Sequence, residues 1–480
     1  MTDTVSVPQL PSDDQKEVAS YKVHWFRSTI FQVIVVGGVF FCAPGMYNAL
    51  SALVESRAGG LATPWYANAT AAAGYAFMAF FALVGGIIVS KIGPQLALLI
   101  SSTGDIIYGG SLYLNSKNGT QWFLMLGSII SGATDGLMYS VEGAIITSYP
   151  EPHRKGRMLS LWVFMRSAAP VIGGAIILGL NSTLDARGGV SLTTYIVIIC
   201  IMCVGPFIAL LLSAPEKVQR KDGRPVVLRK VGLAQSTKEW LRVVSSKDML
   251  FIFPLCYTSW FYGSYIGTLQ TQYFNVRTRA LCAFTIPWGD ILGGLAIGYF
   301  LDSNRFSVKQ RARYSFWALM VTNLALWIWA AVITKELRDG DVEIDWSSGH
   351  LFARTFTLFL LFDVATMAWQ TSLFWMVGQM SQDFVVLSYM TGSVRAIESV
   401  GQAVAYGINS NGANNWLSIG LNVGFIVLSI PFAWLTVRKI GVIDFPKITF
   451  EHVTKTVLDS SESSPVQTRR SLEDEKVETA

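Results

Sequence analysis

The chain has 480 residues, 51% of them hydrophobic and only 14% charged, with a mean hydropathy of +0.42. Soluble domains carry about 25% charge, so this balance excludes an ordinary soluble domain and points to a protein of the bilayer. In such a protein the formal net charge of +5 belongs on cytoplasmic loops rather than on nucleic acid.

Residues 1–27 are polar and begin MTDTVSVPQLPSDDQK, which is no cleavable signal peptide. They are expected to form a cytoplasmic N-terminal segment, with the first apolar run as the insertion signal. A spanning helix needs about 20 apolar residues. Suitable runs occur at 28–54, 66–90, 94–114, 121–147, 158–180 and 191–213, then at 249–270, 280–301, 314–334, 352–378, 386–410 and 415–436. The reading is an all-α membrane protein of twelve helices in two six-helix halves, 28–213 and 249–436. The basic stretch 214–248 joins them as a solvated cytoplasmic linker. Residues 437–480 end SSESSPVQTRRSLEDEKVETA, a polar, Ser-rich composition that suits a disordered cytoplasmic tail.

Orientation follows from charge. Lys91, then Arg154, Lys155 and Arg157, the run from Lys217 to Lys247, and Arg305, Lys309, Arg311 and Arg313 fall in alternate loops. The loop LRDGDVEID (337–345) is acidic. The positive-inside rule then places both termini in the cytoplasm. Sequons at Asn68, Asn118 and Asn181 fall in or beside loops on the other side and are glycosylation candidates.

Cys42, Cys200, Cys203, Cys256 and Cys282 lie in apolar runs, are odd in number and lack metal-site spacing, so all five read as buried thiols. No nucleotide loop, metal cluster or catalytic-triad spacing occurs, so neither an enzyme nor an ATP-driven pump is expected, and no cofactor or metal.

Eight charged residues fall inside the expected spans: Asp105, Asp135, Glu142, Arg166, Asp290, Asp363, Arg395 and Glu398. At ~2.5–3.5 kcal/mol each on insertion scales, they would cost roughly 20 kcal/mol if they faced lipid. A typical domain's whole stability is only about 5–15 kcal/mol. They must therefore face one another or water.

Their spacing repeats. Asp135 and Glu142 match Asp363 and Gln370 at an offset of 228, and Arg166 matches Arg395 at 229. GGIIVSKIGP (85–94) and GYFLDSNRF (298–306) both resemble the major facilitator signature between its second and third helices. The second copy keeps Gly298, Asp302 and Arg305. The first keeps Gly86, Lys91 and Gly93 but has Ser90 where that superfamily has Asp. GMYNALSAL (45–53), AGG (58–60) and DGLMYSVEGAIITSYPEPHRKGR (135–157) are similar to the fungal Unc-ninety-three-like branch, a likeness covering most of 25–440. Tyr139 and Glu142 replace the Trp and Gln usual in animal members, and VESR (54–57) interrupts a turn that is usually Gly-rich.

The resemblance implies a major facilitator fold in which helices 1, 4, 7 and 10 line a central cavity. On that frame Asp135 and Asp363 are expected to face the cavity and Glu142 to pair with Arg166, while Glu398 competes for Arg395. Asp290 is a further candidate for substrate or proton coupling. Asp105, on a peripheral third helix, is expected to be a packing device. Asn48, Tyr139, Trp369, Gln370 and Gln402 are cavity candidates. The four histidines lie in or near loops and cannot carry the proton.

The expected function is a secondary transporter of a small solute, acting as a monomer in the lipid bilayer, with a carboxylate taking up a proton or a cationic substrate. The alternative is a transporter-shaped partner of another membrane protein. Among animal members of the branch, one regulates a potassium channel and another escorts Toll-like receptors.

Overall fold

The computed structural model describes residues 23–54, 64–149, 155–182, 191–220, 233–303, 305–339, 343–380, 384–410 and 414–442. The expectations for the disordered tail, for most of VESR and for the centre of the linker lie outside them. Among the described residues the structure is helical apart from two isolated β-bridges. The helices line up as twelve rods: α1 (29–54), α2 (Pro64–Ile92), α3 (94–118), α4 (Gln121–Ser148), α5 (Lys155–Asn181) and α6 (192–209), then α7 (247–273), α8 (276–301), α9 (Val308–Asp339), α10 (His350–Gly378), α11 (Phe384–Asn409) and α12 (Asn415–Val437). A linker helix, Leu233–Val244, precedes α7 and donates from Trp240 Nε1 to Ser393 Oγ on α11 at 3.1 Å. That part of the linker is therefore docked on the bundle rather than free in solvent.

Eight rods are long and apolar enough to cross a membrane: α1, α2, α5, α6, α8, α9, α10 and α12. The other four have visible reasons for falling short. α3 and α7 are broken by turns at 102–103 and 260–262, while α4 and α11 carry Asp135 with Glu142 and Arg395 with Glu398.

Breaks in the rods follow local chemistry. In α1, Pro44 lacks an amide hydrogen, and the turn Phe41–Gly45 widens to a π-helix around it. In α3 the hydroxyls of Ser102 and Thr103 donate back to the carbonyls of Leu99 and Ile100, at 2.8 and 2.7 Å, and the helix restarts at Gly104. Pro287, which lacks an amide hydrogen, restarts α8 at its first position after Ile286.

Packing divides the chain in two. The largest apolar core, around Trp327, Phe359 and Phe362, draws only on residues from Val243 to Ile440. A second, around Val36, Leu98 and Val141, draws only on residues 31–218. A third, around Met46, Leu112 and Ile177, joins the two halves by taking in Ala280 and Ala283 of α8. There α5 and α8 nearly touch: a Cβ on Gly174 would lie 2.2 Å from the Ala283 carbonyl oxygen, so only glycine fits.

Large apolar side chains such as Phe207, Leu295, Tyr299 and Ile328 point outward, as lipid-facing surface requires. The thiol expectation is corrected on this face. Cys42, Cys256 and Cys282 are buried, but Cys203 is only half-buried and Cys200 is exposed, because that side of α6 forms the apolar exterior.

At the end opposite the linker, the α9–α10 loop is pinned to the start of α8. Asp345 accepts from Arg277 Nε at 2.7 Å and from Asn275 Nδ2 at 2.8 Å, and the backbones of Phe274 and Ile344 form a bridge. Arg277 holds the Asp345 carboxyl well below the usual carboxylate range.

Candidate site at the interface of the halves

The inward charges meet around Tyr139 of α4. Its ring packs edge-on against Phe40 of α1, with centroids 5.9 Å apart. The Arg395 guanidinium of α11 lies 4.7 Å from the ring centroid, and that of Arg166 of α5 lies 6.0 Å away. One tyrosine thus sits between arginines from opposite halves.

Each arginine also meets acids. Arg395 Nη1 is 3.1 Å from Glu398 Oε2, one turn along α11. Glu398 is fully buried, takes a second bond from Gln370 Nε2 at 3.1 Å and a third from Ser259 Oγ at 3.3 Å. Gln370 in turn accepts from Trp260 Nε1 at 2.8 Å. Across the interface, Glu142 of α4 interacts electrostatically with Arg395, and Asp290 of α8 with Arg166. Charges of both halves therefore answer one another at this depth.

Two carboxyl pairs flank this layer. In the C-terminal half, Tyr262 Oη of α7 donates to Asp363 Oδ1 of α10 at 2.9 Å. Asp290 of α8 interacts electrostatically with Asp363, and its Oδ1 has no hydrogen-bond partner among the described residues.

In the N-terminal half, Asp135 is buried, and its Oδ1 has no hydrogen-bond partner among the described residues. Asp105 is fully buried too and accepts from Ser131 Oγ at 2.6 Å. Ser131 precedes Asp135 by four residues, one turn along the same face of α4. Asp105, expected to be a packing device, is held against α4 by this bond, just after the restart of α3 at Gly104. Tyr47 of α1 interacts electrostatically with both acids, and its ring centroid is 5.0 Å from that of Tyr108.

Other expected cavity residues scatter. Trp369 is corrected outright, since it sits in the C-terminal half's own core beside Leu255, Phe316 and Met320. At 100° per residue it points about 120° away from Asp363, whereas Gln370, seven residues on, shares that residue's face. Asn48 is exposed and Gln402 half-buried. Of the signature residues, Lys91, Asp302 and Arg305 are exposed, and Gly93 adopts φ +83° between α2 and α3. Gly86 lies within α2 and Gly298 within α8.

Two of the three glycosylation candidates are corrected. Asn68 is buried, and its amide nitrogen donates to Thr268 Oγ1 at 3.2 Å and to the Asn409 carbonyl at 3.5 Å, across the two halves. Asn181 is fully buried, with its nitrogen bonded to Ile177 O and Thr194 Oγ1 at 2.8 and 2.9 Å. A sugar cannot attach to a nitrogen so enclosed. Asn118, exposed at the end of α3, keeps the required access. Beside Asn68, Tyr75 stacks on Tyr406 at 5.4 Å and extends the contact of α2 with α11.

Motif reading missed Tyr262, Trp260, Ser259 and Ser131. The available signal was weak: hydroxyl and indole groups one turn from an intramembrane acid, or opposite it.

Residues 65–333 match the family described as ion channel regulatory protein UNC-93. The chain is 32% identical to notoamide biosynthesis cluster protein O' of Aspergillus versicolor over 446 residues, 92% of this chain and 95% of that protein. It is 30% identical to UNC93-like protein 1 of Arabidopsis thaliana over 422 residues, 86% of this chain and 90% of that one. Among solved structures, a D-xylose-proton symporter superposes with a TM-score of 0.58 at 13% identity, covering 84% of this chain and 97% of that one. At that identity the likeness carries the fold alone, which is the all-α bundle of the major facilitator transporters.

Proposed function

The chain belongs to the UNC-93 family, and from that premise we propose that it is a secondary carrier moving a small solute by alternating access. The observation that carries this reading is the charged layer shared by the two halves, in which Arg166 interacts electrostatically with Asp290 and Arg395 with Glu142, and both arginines lie against the Tyr139 ring. Contacts of this kind can break and re-form as the bodies 28–213 and 249–436 rock against each other. Asp363 and Asp290 are the proton-carrying pair, with Tyr262 orienting Asp363. Partial opening of the interface would withdraw Arg166 from Asp290 and change that pair's hold on its proton.

The linker end, with Lys91, Arg305, Arg311 and Arg313, is the cytoplasmic end, and both termini lie there. The Asn68–Thr268 and Tyr75–Tyr406 contacts close the opposite, non-cytoplasmic mouth. One relative is named for a biosynthesis cluster, which supports a small organic product as the cargo.

The test is solute-dependent proton flux in proteoliposomes holding the purified protein, followed by a pH-sensitive dye. Asp363→Asn at normal abundance should reduce the flux at least tenfold. Undiminished flux in that variant removes the pair from the mechanism.

The family's description supports a second reading, a regulator of another membrane protein that transports nothing. A wild-type protein that gives no flux with any solute, yet alters the current of a co-expressed ion channel equally with and without Asp363→Asn, would favour it.

A further inference from the structure

Asp105 and Asp135 differ from every other inward acid in one respect. Glu142 and Glu398 interact with Arg395, and Asp290 with Arg166, while Asp363 has Tyr262 and Asp290. Among the described residues no basic side chain contributes to the surroundings of Asp105 or Asp135. Both are more than nine-tenths buried, and each has an oxygen without a partner, Oδ2 of Asp105 and Oδ1 of Asp135. Two adjacent carboxylates enclosed by helices without a counter-charge are strongly unfavourable.

Protons alone are a poor remedy. A protonated carboxyl is a donor, and Asp135 Oδ1 has no hydrogen-bond partner among the described residues. The alternative is a cation bound by oxygen. Ser131 holds one oxygen of Asp105 and leaves the other free, and the Tyr47 phenol interacts electrostatically with both acids. Hard cations take such oxygen ligands. Two carboxylates are few for a divalent ion, and no group of three or more metal-ligating side chains occurs among the described residues.

We propose that Asp105 and Asp135, assisted by Tyr47, bind a monovalent alkali-metal cation between α1, α3 and α4 of the N-terminal half. The site does not depend on the carrier reading.

The experiment uses the full chain in detergent, with neither solute nor gradient, so failure of transport cannot affect it. The unfolding midpoint is followed while NaCl or KCl replaces choline chloride at constant ionic strength. The expected result is a saturable rise with at least one of the two salts, abolished in Asp105→Asn and Asp135→Asn. Tyr47→Phe keeps the ring and should raise the half-saturating concentration at least threefold. Equal midpoints in all three salts overturn the proposal, as does an undiminished rise in Asp105→Asn. Should the aspartate variants fail to fold, an unchanged half-saturation in Tyr47→Phe overturns it.

Discussion

The two halves use one template with different wiring. Asp135, Glu142 and Arg166 stand where Asp363, Gln370 and Arg395 stand. Yet Arg395 finds its acid on its own helix, at Glu398, where the matching position of α5 is Ala169. Arg166 lies against the rings of Phe40 and Tyr139 and interacts electrostatically with the opposite half's Asp290. Both arginines thus reach across the interface, and the C-terminal half adds an ion pair within α11. In a duplicated bundle, one residue at one turn makes that difference.

Four measurements would break or sharpen this contrast. The largest effect is expected from Glu398→Ala, which removes the buried acid bonded to Arg395, Gln370 and Ser259. Loss of one partner of a buried pair costs about 3–5 kcal/mol. The folded yield by size-exclusion chromatography should collapse, whereas Arg166→Met should leave it largely intact; equal losses would refute the asymmetry. Next is Tyr139→Leu, which removes the ring between the arginines and should lower stability by about 1–2 kcal/mol, with Tyr139→Phe near wild type.

A smaller effect is expected at Asp345, outside the membrane layer. Its carboxyl is held below the ordinary value by Arg277. Its contribution is therefore complete above the unfolded-state pKa of about 4 and declines as pH falls toward the lowered folded-state value. Asp345→Asn should lower the unfolding midpoint by a few degrees at pH 7, with the gap narrowing below about pH 4. A gap that widens on acidification would contradict the assignment.

The smallest effect concerns the contact between halves at Asn68. Asn68→Ala should cost about 1 kcal/mol and leave gel mobility unchanged, because the buried nitrogen carries no sugar. A mobility shift in Asn68→Gln would reverse the correction made for that residue.

Much was legible before any coordinates. Low charge and long apolar runs imply a helical bundle in a bilayer, and the matched acids and arginines imply duplication. The spacing from Asp363 to Gln370 also placed both on one face, since that follows from 3.6 residues per turn. The same arithmetic applied to Trp369 argues against a cavity role. Asn68 was misread for another reason. It sits near the start of α2, and sequence reading assigns such residues to their nearest loop.

By itself, the sequence determined that this is a multi-pass membrane protein of the UNC-93 family whose charged side chains cannot face lipid, because burial cost and periodicity are local properties of the chain. Only the tertiary structure decided which charge meets which. Partnership depends on helix rotation and approach, as where Gly174 admits the backbone of α8 or where α3 restarts and turns Asp105 inward. These are relations between segments distant in sequence, set by packing rather than by any single helix's composition.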